Sequence, residues 1–277
     1  MDGLERTGSG HEAVDGMFLN IAHRGDSSNA PENTMSAFEA AIAAGASAVE
    51  LDLRRTADGQ VVAMHDRRVD RTTDGEGALE SLSFERVRGL DAGAWFGERY
   101  SGERVPTLEE VFDRLVERVP LVLHVKEAGV GIERAVADQV LSRGVADRVC
   151  VSSNHVKVIE LIGRLVPGIT TTWIVWLRDW RWWMWYVAGK VRRLGARRVA
   201  PPATRMTRPM VEYFHSQEIT VRAWGVGRDE ALASRLISYG VDGMTFDDPG
   251  RLAELLATNA LPANSALPAN SSAKDNS

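Results

Sequence analysis

The chain has 277 residues, 44% hydrophobic and 26% charged, with a formal net charge of −5. That balance reads as a soluble globular domain and gives no bulk attraction to nucleic acid, so no nucleic-acid partner is expected. Cys150 is the only cysteine, so no intramolecular disulfide can form; a reducing, cytoplasmic location and a small buried thiol are the expectations.

Residues 1–16 are polar and acidic, without the basic-then-apolar order of a signal peptide, and are expected to be flexible. From Phe18 onward, short apolar or β-branched runs recur: 18–22, 47–53, 121–126, 148–153, 169–175, 197–201, 219–226 and 243–246. Between most of them lie stretches of helical period, such as "ENTMSAFEAAIAAG", "TLEEVFDRLVERV", "GIERAVADQVLSRG" and "RDEALASRLISYG". Several end on glycine, as a helix C-cap does. Eight strands alternating with helices predict a parallel (β/α)8 TIM barrel over 17–258, with an open doubly wound sheet as the competitor. The tail 259–277 repeats "ALPANS" from Ala260 and is expected to be disordered.

A barrel carries its chemistry at the C-terminal ends of its strands. There the first run ends in His23 and Arg24, the second in Glu50 and Asp52, the third in His124 and Lys126, and the seventh near Trp224. Residues two apart on a strand share a face. After the second run, "ELDLRRTADGQVVAMHD" replaces the helix with a hairpin signal, Asp58-Gly59. A two-residue turn there pairs residues whose numbers sum to 117 and sets Asp52 opposite His65, roughly 4.5–5.5 Å away. Taken singly, E-x-D on a strand is more often a salt-bridging pair, His65 a turn histidine and Lys126 a snorkelling side chain. Their convergence on one rim points to chemistry instead.

Two carboxylates on one face raise each other's pKa unless a cation intervenes, and oxygen ligands favour a hard divalent metal such as Mg²⁺ or Ca²⁺. Arg24 and Lys126 suit a phosphate, and His23 and His65 suit general acid and base. The set reads as metal-assisted phosphodiester hydrolysis.

The motifs "AHRG", "PENT", "AVELDLRRTADGQVVAMHD", "DRTTDGEG", "GERVPTLEEV" and "WGVG…GVDGMTFDDP" resemble those of the glycerophosphodiester phosphodiesterases, in order from about Ile21 to Leu252. The resemblance implies a (β/α)8 barrel and a divalent metal. It also implies hydrolysis of a small glycerophosphodiester to glycerol 3-phosphate and an alcohol. By position, His23 and His65 match the family's acid/base pair, Arg24 and Lys126 its phosphate-binding cations, and Glu50 and Asp52 two of its metal ligands. The third ligand departs: His124 stands where the family has glutamate. One fewer negative charge favours Mn²⁺ or Zn²⁺ over Mg²⁺ or Ca²⁺. Glu127, of odd parity, turns away from the barrel. Near the end, the family's W-T-V-N reads "WGVG"; Trp224 is kept and is expected to pack on the glycerol of a substrate. Two alternatives stay open. One is lysophospholipase D or sphingomyelinase D-like action on membrane lipid; the other is a catalytically silent barrel that binds phosphate or lipid.

After the fifth strand, "WIVWLRDWRWWMWYVAG" (173–189) holds six of the chain's eight tryptophans. Three charges interrupt it, against a membrane span. On a helical period Trp173, Trp176, Leu177, Trp180, Trp183, Met184 and Val187 share one face, while Trp182, Trp185 and Tyr186 fall elsewhere. Lys190, Arg192, Arg193, Arg197 and Arg198 follow. Aromatic and basic residues together predict an inserted lid or interfacial helix over 173–198 that touches a lipid surface, at the inner membrane face if the protein is cytoplasmic. Self-association and plain core packing are its rivals.

Overall fold

Alternation of β-branched runs and helical periods builds nine strands and nine helices among the described residues of the computed structural model, which are 18–129, 131–176 and 180–259. The strands are β1 (Leu19–Ala22), β2 (Ala48–Arg55), β3 (Val61–Ala63), β4 (Leu121–Val125), β5 (Val149–Ser153), β6 (Thr170–Ile174), β7 (Arg198–Ala200), β8 (Thr220–Ala223) and β9 (Gly243–Phe246). The helices are α1 (Met35–Ala43), α2 (Phe84–Arg88), α3 (Leu108–Leu115), α4 (Ile132–Arg143), α5 (Val156–Leu165), α6 (Trp180–Arg193), α7 (Arg208–Ser216), α8 (Glu230–Tyr239) and α9 (Pro249–Asn259).

All the strands but β3 are parallel and close into a ring, because β1 pairs with both β2 and β9. This is the TIM barrel expected from the alternation. Alternate residues face its axis: Ile21, Ala48, Val122 and Cys150 form an interior cluster. The outward residues pack under the helices in two larger cores, one holding Phe38, Leu51 and Phe112, the other Val199, Phe214 and Phe246. Helix ends follow local chemistry. Thr107 and Glu110 form a capping box at the start of α3, and α4 and α8 end on the left-handed Gly144 and Gly240.

The hairpin forms, one residue out of the expected register. Leu53, Arg54 and Arg55 pair with Ala63, Val62 and Val61, so partner numbers sum to 116. Thr56 N–H bonds to Gln60 O at 3.0 Å, and Gly59 takes φ +93°. The turn is therefore a three-residue loop with glycine in the left-handed position, the next commonest solution after a two-residue turn. Met64 N–H, not His65, meets Asp52 O at 2.9 Å. His65 lies beyond the end of β3, where ladder parity no longer fixes its direction. The excursion from there to α3 has a small core of its own, including Val69, Leu79, Leu90 and Val105.

The tryptophan segment also differs from a continuous helix. Trp173 belongs to β6 and Trp176 follows it, 64% exposed, so neither sits on the expected helical face. Within α6, Met184 and Val187 are buried as the period predicted, and Trp183 is half-buried. Trp185 and Tyr186 point outward. Leu177 and the charged Arg178 and Asp179 lie outside the described residues, as do the side chains of Trp180, Arg181 and Trp182. So do the N-terminal segment expected to be flexible and the tail after Asn259; Asn259 itself ends α9. Among the described residues no helix is long and apolar enough to cross a membrane.

One turn fixes the first strand's end. Arg24 and Gly25 both take positive φ, +59° and +82°, and a Cβ at Gly25 would lie 2.5 Å from the carbonyl carbon of Ala37. Gly45 has a similar φ of +80° with nothing within 4 Å of its would-be Cβ. Gly45→Ala should therefore cost only left-handed strain, about 1–2 kcal/mol. Gly25→Ala should add a backbone clash and cost at least ~3 kcal/mol. Equal urea midpoints for the two variants would contradict this packing of α1 on the turn.

Candidate active site

The mouth of the barrel is organised by a carboxylate that no water reaches. Asp52, at 1% exposure, accepts from Asn33 Nδ2 at 3.1 Å, and its own N–H donates to Asn33 Oδ1 at 3.0 Å. Asn33 holds a left-handed φ of +57° to do so, a conformation asparagine tolerates better than most residues. Around Asp52 stand Arg24 Nε at 3.1 Å, His124 Nδ1 at 3.1 Å and Lys126 Nζ at 3.3 Å. Burial pushes the Asp52 carboxyl up, but the facing His124 imidazole and the charges of Lys126 and Arg24 outweigh it and hold it well below the usual range. His124 moves the other way: burial opposes its charged form, yet Asp52 and Glu50 raise its pKa.

Glu50, one inward position before Asp52, is also buried; its Oε2 accepts from the Arg24 N–H at 2.9 Å, and its Oε1 lies 3.5 Å from His124 Nδ1. The strained turn at Arg24 thus aims a backbone donor at the site. Glu50, Asp52 and His124 each offer a ligand atom, all within 4.8 Å of one another. Asp52 Oδ1 is buried and is the atom that both His124 Nδ1 and Lys126 Nζ face. Two buried carboxylates and an imidazole whose ligand atoms converge this closely make a donor set that fits a divalent cation, so these three residues could hold a metal ion.

The two histidines are oriented alike. His23 Nδ1 meets Asp247 Oδ1 at 2.7 Å, and His65 Nδ1 meets Asp66 Oδ1 at 2.6 Å. With Nδ1 committed to a carboxylate, each ring has Nε2 left for proton transfer. Burial lowers the His65 pKa, with partial compensation from Asp52. Asp66 is held at about 2, chiefly by its bond to Arg71 and despite some burial. His65 lines a small cavity with Glu32 and Asn33, the residue bonded to Asp52, so the hairpin brings it beside the mouth by a register other than the expected one.

Arg24 gives Nη1 to Glu32 at 2.8 Å, and Arg71 clamps the same Glu32 with both Nη atoms at 2.8 Å. Glu127 accepts from Arg55 N–H at 3.0 Å and faces Arg54 at 3.5 Å, away from the metal group, as its parity predicted. Trp224, at the end of β8, donates Nε1 to Val175 O at 3.4 Å and stands edge-on to Trp176 with ring centres 4.5 Å apart. The pair borders a cavity of about 240 Å³ with Pro202, Arg205 and Gly225.

Of the eight expected site residues, His23, Arg24, His65, Lys126 and Trp224 follow the ends of strands, His124 is the penultimate residue of β4, and Glu50 and Asp52 lie within β2. Sequence reasoning gave no role to Asp247, Asp66, Asn33 and Glu32. All four lie inside quoted motifs: Glu32 and Asn33 in "PENT", Asp66 at the end of "AVELDLRRTADGQVVAMHD" and Asp247 in "GVDGMTFDDP". Asp247 is 224 residues from His23. Only closure of the barrel, with Ala22 in register with Phe246, brings the two together.

A barrel with such a mouth defines a phosphodiester hydrolase of the (β/α)8 class. Comparisons make the class specific. Residues 23–251 match the model of the glycerophosphoryl diester phosphodiesterase family, and the chain belongs to that family. A glycerophosphodiester phosphodiesterase of Caldanaerobacter subterraneus is 35% identical over 249 residues, covering 86% of this chain and 97% of that protein. Glycerophosphodiester phosphodiesterase 1 of Mus musculus is 53% identical over 92 residues, 32% of this chain and 28% of that protein. Among solved structures, an Oleispira antarctica phosphodiesterase in complex with its product sn-glycerol-3-phosphate superposes with a TM-score of 0.78 at 26% identity. It covers 90% of this chain and 100% of that one. The Agrobacterium tumefaciens enzyme gives 0.73 at 26% identity, over 84% and 98%. Glycerophosphodiester hydrolysis is the activity these relatives support.

If Asp247 holds the His23 ring, Asp247→Asn should lower kcat by about 10²–10⁴ while KM changes little. It should also alter the pH profile of kcat. A folded variant with wild-type kcat and profile would show that the contact has no part in catalysis.

Proposed function

We propose that this protein hydrolyses glycerophosphodiesters to glycerol 3-phosphate and an alcohol, using one divalent cation at Glu50, Asp52 and His124 and acid/base catalysis by His23 and His65. The observation that carries the reading is the convergence of buried Glu50 and Asp52 with His124 within 4.8 Å, beside two histidines each held by a carboxylate. When bound, the cation supplies charge neutralisation at the phosphoryl oxygens. Lys126 and the remaining donors of Arg24 bind and orient the phosphate. His65, kept neutral by burial, takes the proton of the entering oxygen, and His23, held by Asp247, returns one to the leaving alcohol. Trp224 offers its ring to the glycerol moiety.

Turnover of glycerophosphocholine by the chelated and reconstituted enzyme tests this. Activity should vanish with chelator, return with a divalent ion, and be lost in His23→Ala. Because imidazole replaces a charged ligand, Mn²⁺ or Zn²⁺ should restore more activity than Mg²⁺ or Ca²⁺, and His124→Glu should reverse that order. Metal-independent turnover would refute the metal site. As the base must be neutral, kcat/KM should rise with pH through the His65 pKa, so the acid limb falls below the ordinary histidine range.

A second reading, action on lysophospholipids at a lipid surface, is favoured by one observation. Trp176, Trp185 and Tyr186, at 64%, 71% and 58% exposure, are half of the large exposed apolar side chains among the described residues, and the exposed Arg192, Arg193 and Arg197 follow them along the chain. Co-sedimentation with anionic phosphatidylglycerol vesicles should be salt-sensitive and should fall at least ~10-fold in Trp185→Ser/Tyr186→Ser. No binding by the wild type at low salt removes the lipid contact.

A further inference from the structure

The end of the barrel opposite the active site holds two inward-facing arginines that nothing in the fold pairs. Thr172 is in register with Arg198, and Arg198 with Thr220, one inward position before Arg222 on β8. These positions share the interior parity of Cys150, whose Sγ lies 3.3 Å from Thr172 Oγ1. Arg222 is 4% exposed, and its Nε and Nη1 have no hydrogen-bond partner. Among the described residues Arg198 makes no hydrogen bond or ion pair either. Burial, and the like charge of Arg198, push the Arg222 pKa down, while Cys150 and Glu50 act in the opposite sense.

A buried guanidinium without an anion costs several kcal/mol, and a second cation beside it adds to that cost. Among the described residues no carboxylate forms an ion pair with either arginine. Glu50 accepts from Arg24 N–H on the catalytic side, and Asp242 is bound by His215 Nε2 at 2.8 Å and Val221 N–H at 2.6 Å. Glu218 is exposed on the rim. Arg198, Thr170 and Thr220 line a cavity of about 830 Å³ at the N-terminal ends of β6 to β8, and Arg222 lies one inward position deeper than Thr220 on β8.

We infer that the floor of the barrel is a second anion site, in which Arg198 and Arg222 hold a small inorganic oxyanion such as phosphate, entered from the face opposite the catalytic mouth. The threonine hydroxyls at 170 and 220 add neutral donors along the entry. Two guanidinium groups match a tetrahedral oxyanion better than a lysine pair would, since each presents a planar fork. The site stands independently of the metal reading, because neither arginine belongs to the catalytic set.

Thermal melts of the full chain test it, on a Lys126→Ala background that weakens phosphate binding at the catalytic mouth. Inorganic phosphate at about 100 times its Kd should raise the Tm by roughly 5–10 °C. Arg222→Met and Arg198→Gln should each abolish most of that rise, and Arg222→Met should melt higher than its parent in phosphate-free buffer. An unchanged phosphate response in Arg198→Gln, which alters only the cavity wall and keeps the test valid if Arg222→Met fails to fold, overturns the proposal. Loss of metal binding in Arg222→Met with the phosphate response intact overturns it too, by making Arg222 a counter-charge for Glu50. Crystals soaked in selenate should show an anomalous peak within hydrogen-bond reach of both guanidinium groups; ordered water alone there is the contrary result.

Discussion

Asp52 is an ionised group placed where water cannot reach it, and much of the active-site mouth can be understood as its compensation. Isolated, a carboxylate at 1% exposure would be protonated or would destabilise the fold. Three cationic or protonatable side chains from β1 and β4 converge on it, and Asn33 fixes both its side chain and its backbone N–H. Those groups are the ones a phosphodiesterase needs near a phosphate. Stability of the charge and preorganisation for an anionic substrate therefore come from the same contacts. The left-handed backbone at Arg24 and Asn33 is the local cost of bringing these donors inward.

The histidine pair shows a second economy. Each ring takes its orientation from a carboxylate supplied by a different part of the chain, Asp66 beside His65 and Asp247 from the last strand's end. The first dyad is local and survives small movements of the barrel. The second depends on ring closure between β1 and β9. The orientation of the His23 ring is thereby tied to completion of the barrel, since only the β1–β9 pairing brings Asp247 to it.

The alternation of runs and helical periods sufficed for the barrel, because parallel strands buried on both faces and capped helices leave strong local signals. Strand-end placement of Glu50, Asp52, His124 and Lys126 followed from parity alone. The register of the hairpin did not, since Asp-Gly serves both two-residue and longer turns, and Thr56 accepting and donating across the loop decided between them. Asp247 was hidden by distance along the chain. The tryptophan segment departs from a single helical phase for another reason: Trp173 is strand, and Trp176 stands against Trp224. Packing across the barrel mouth overrode periodicity there.

The most direct measurement is the stoichiometry of divalent-ion binding by the intact chain, read from Mn²⁺ titration by electron paramagnetic resonance in wild type and Asp52→Asn. One ion per chain in the wild type and none in Asp52→Asn, with both proteins folded, is the predicted result. A wild-type chain that binds no ion, or an Asp52→Asn chain that binds it as tightly, would contradict the assignment of Glu50, Asp52 and His124 as the metal centre of the enzyme.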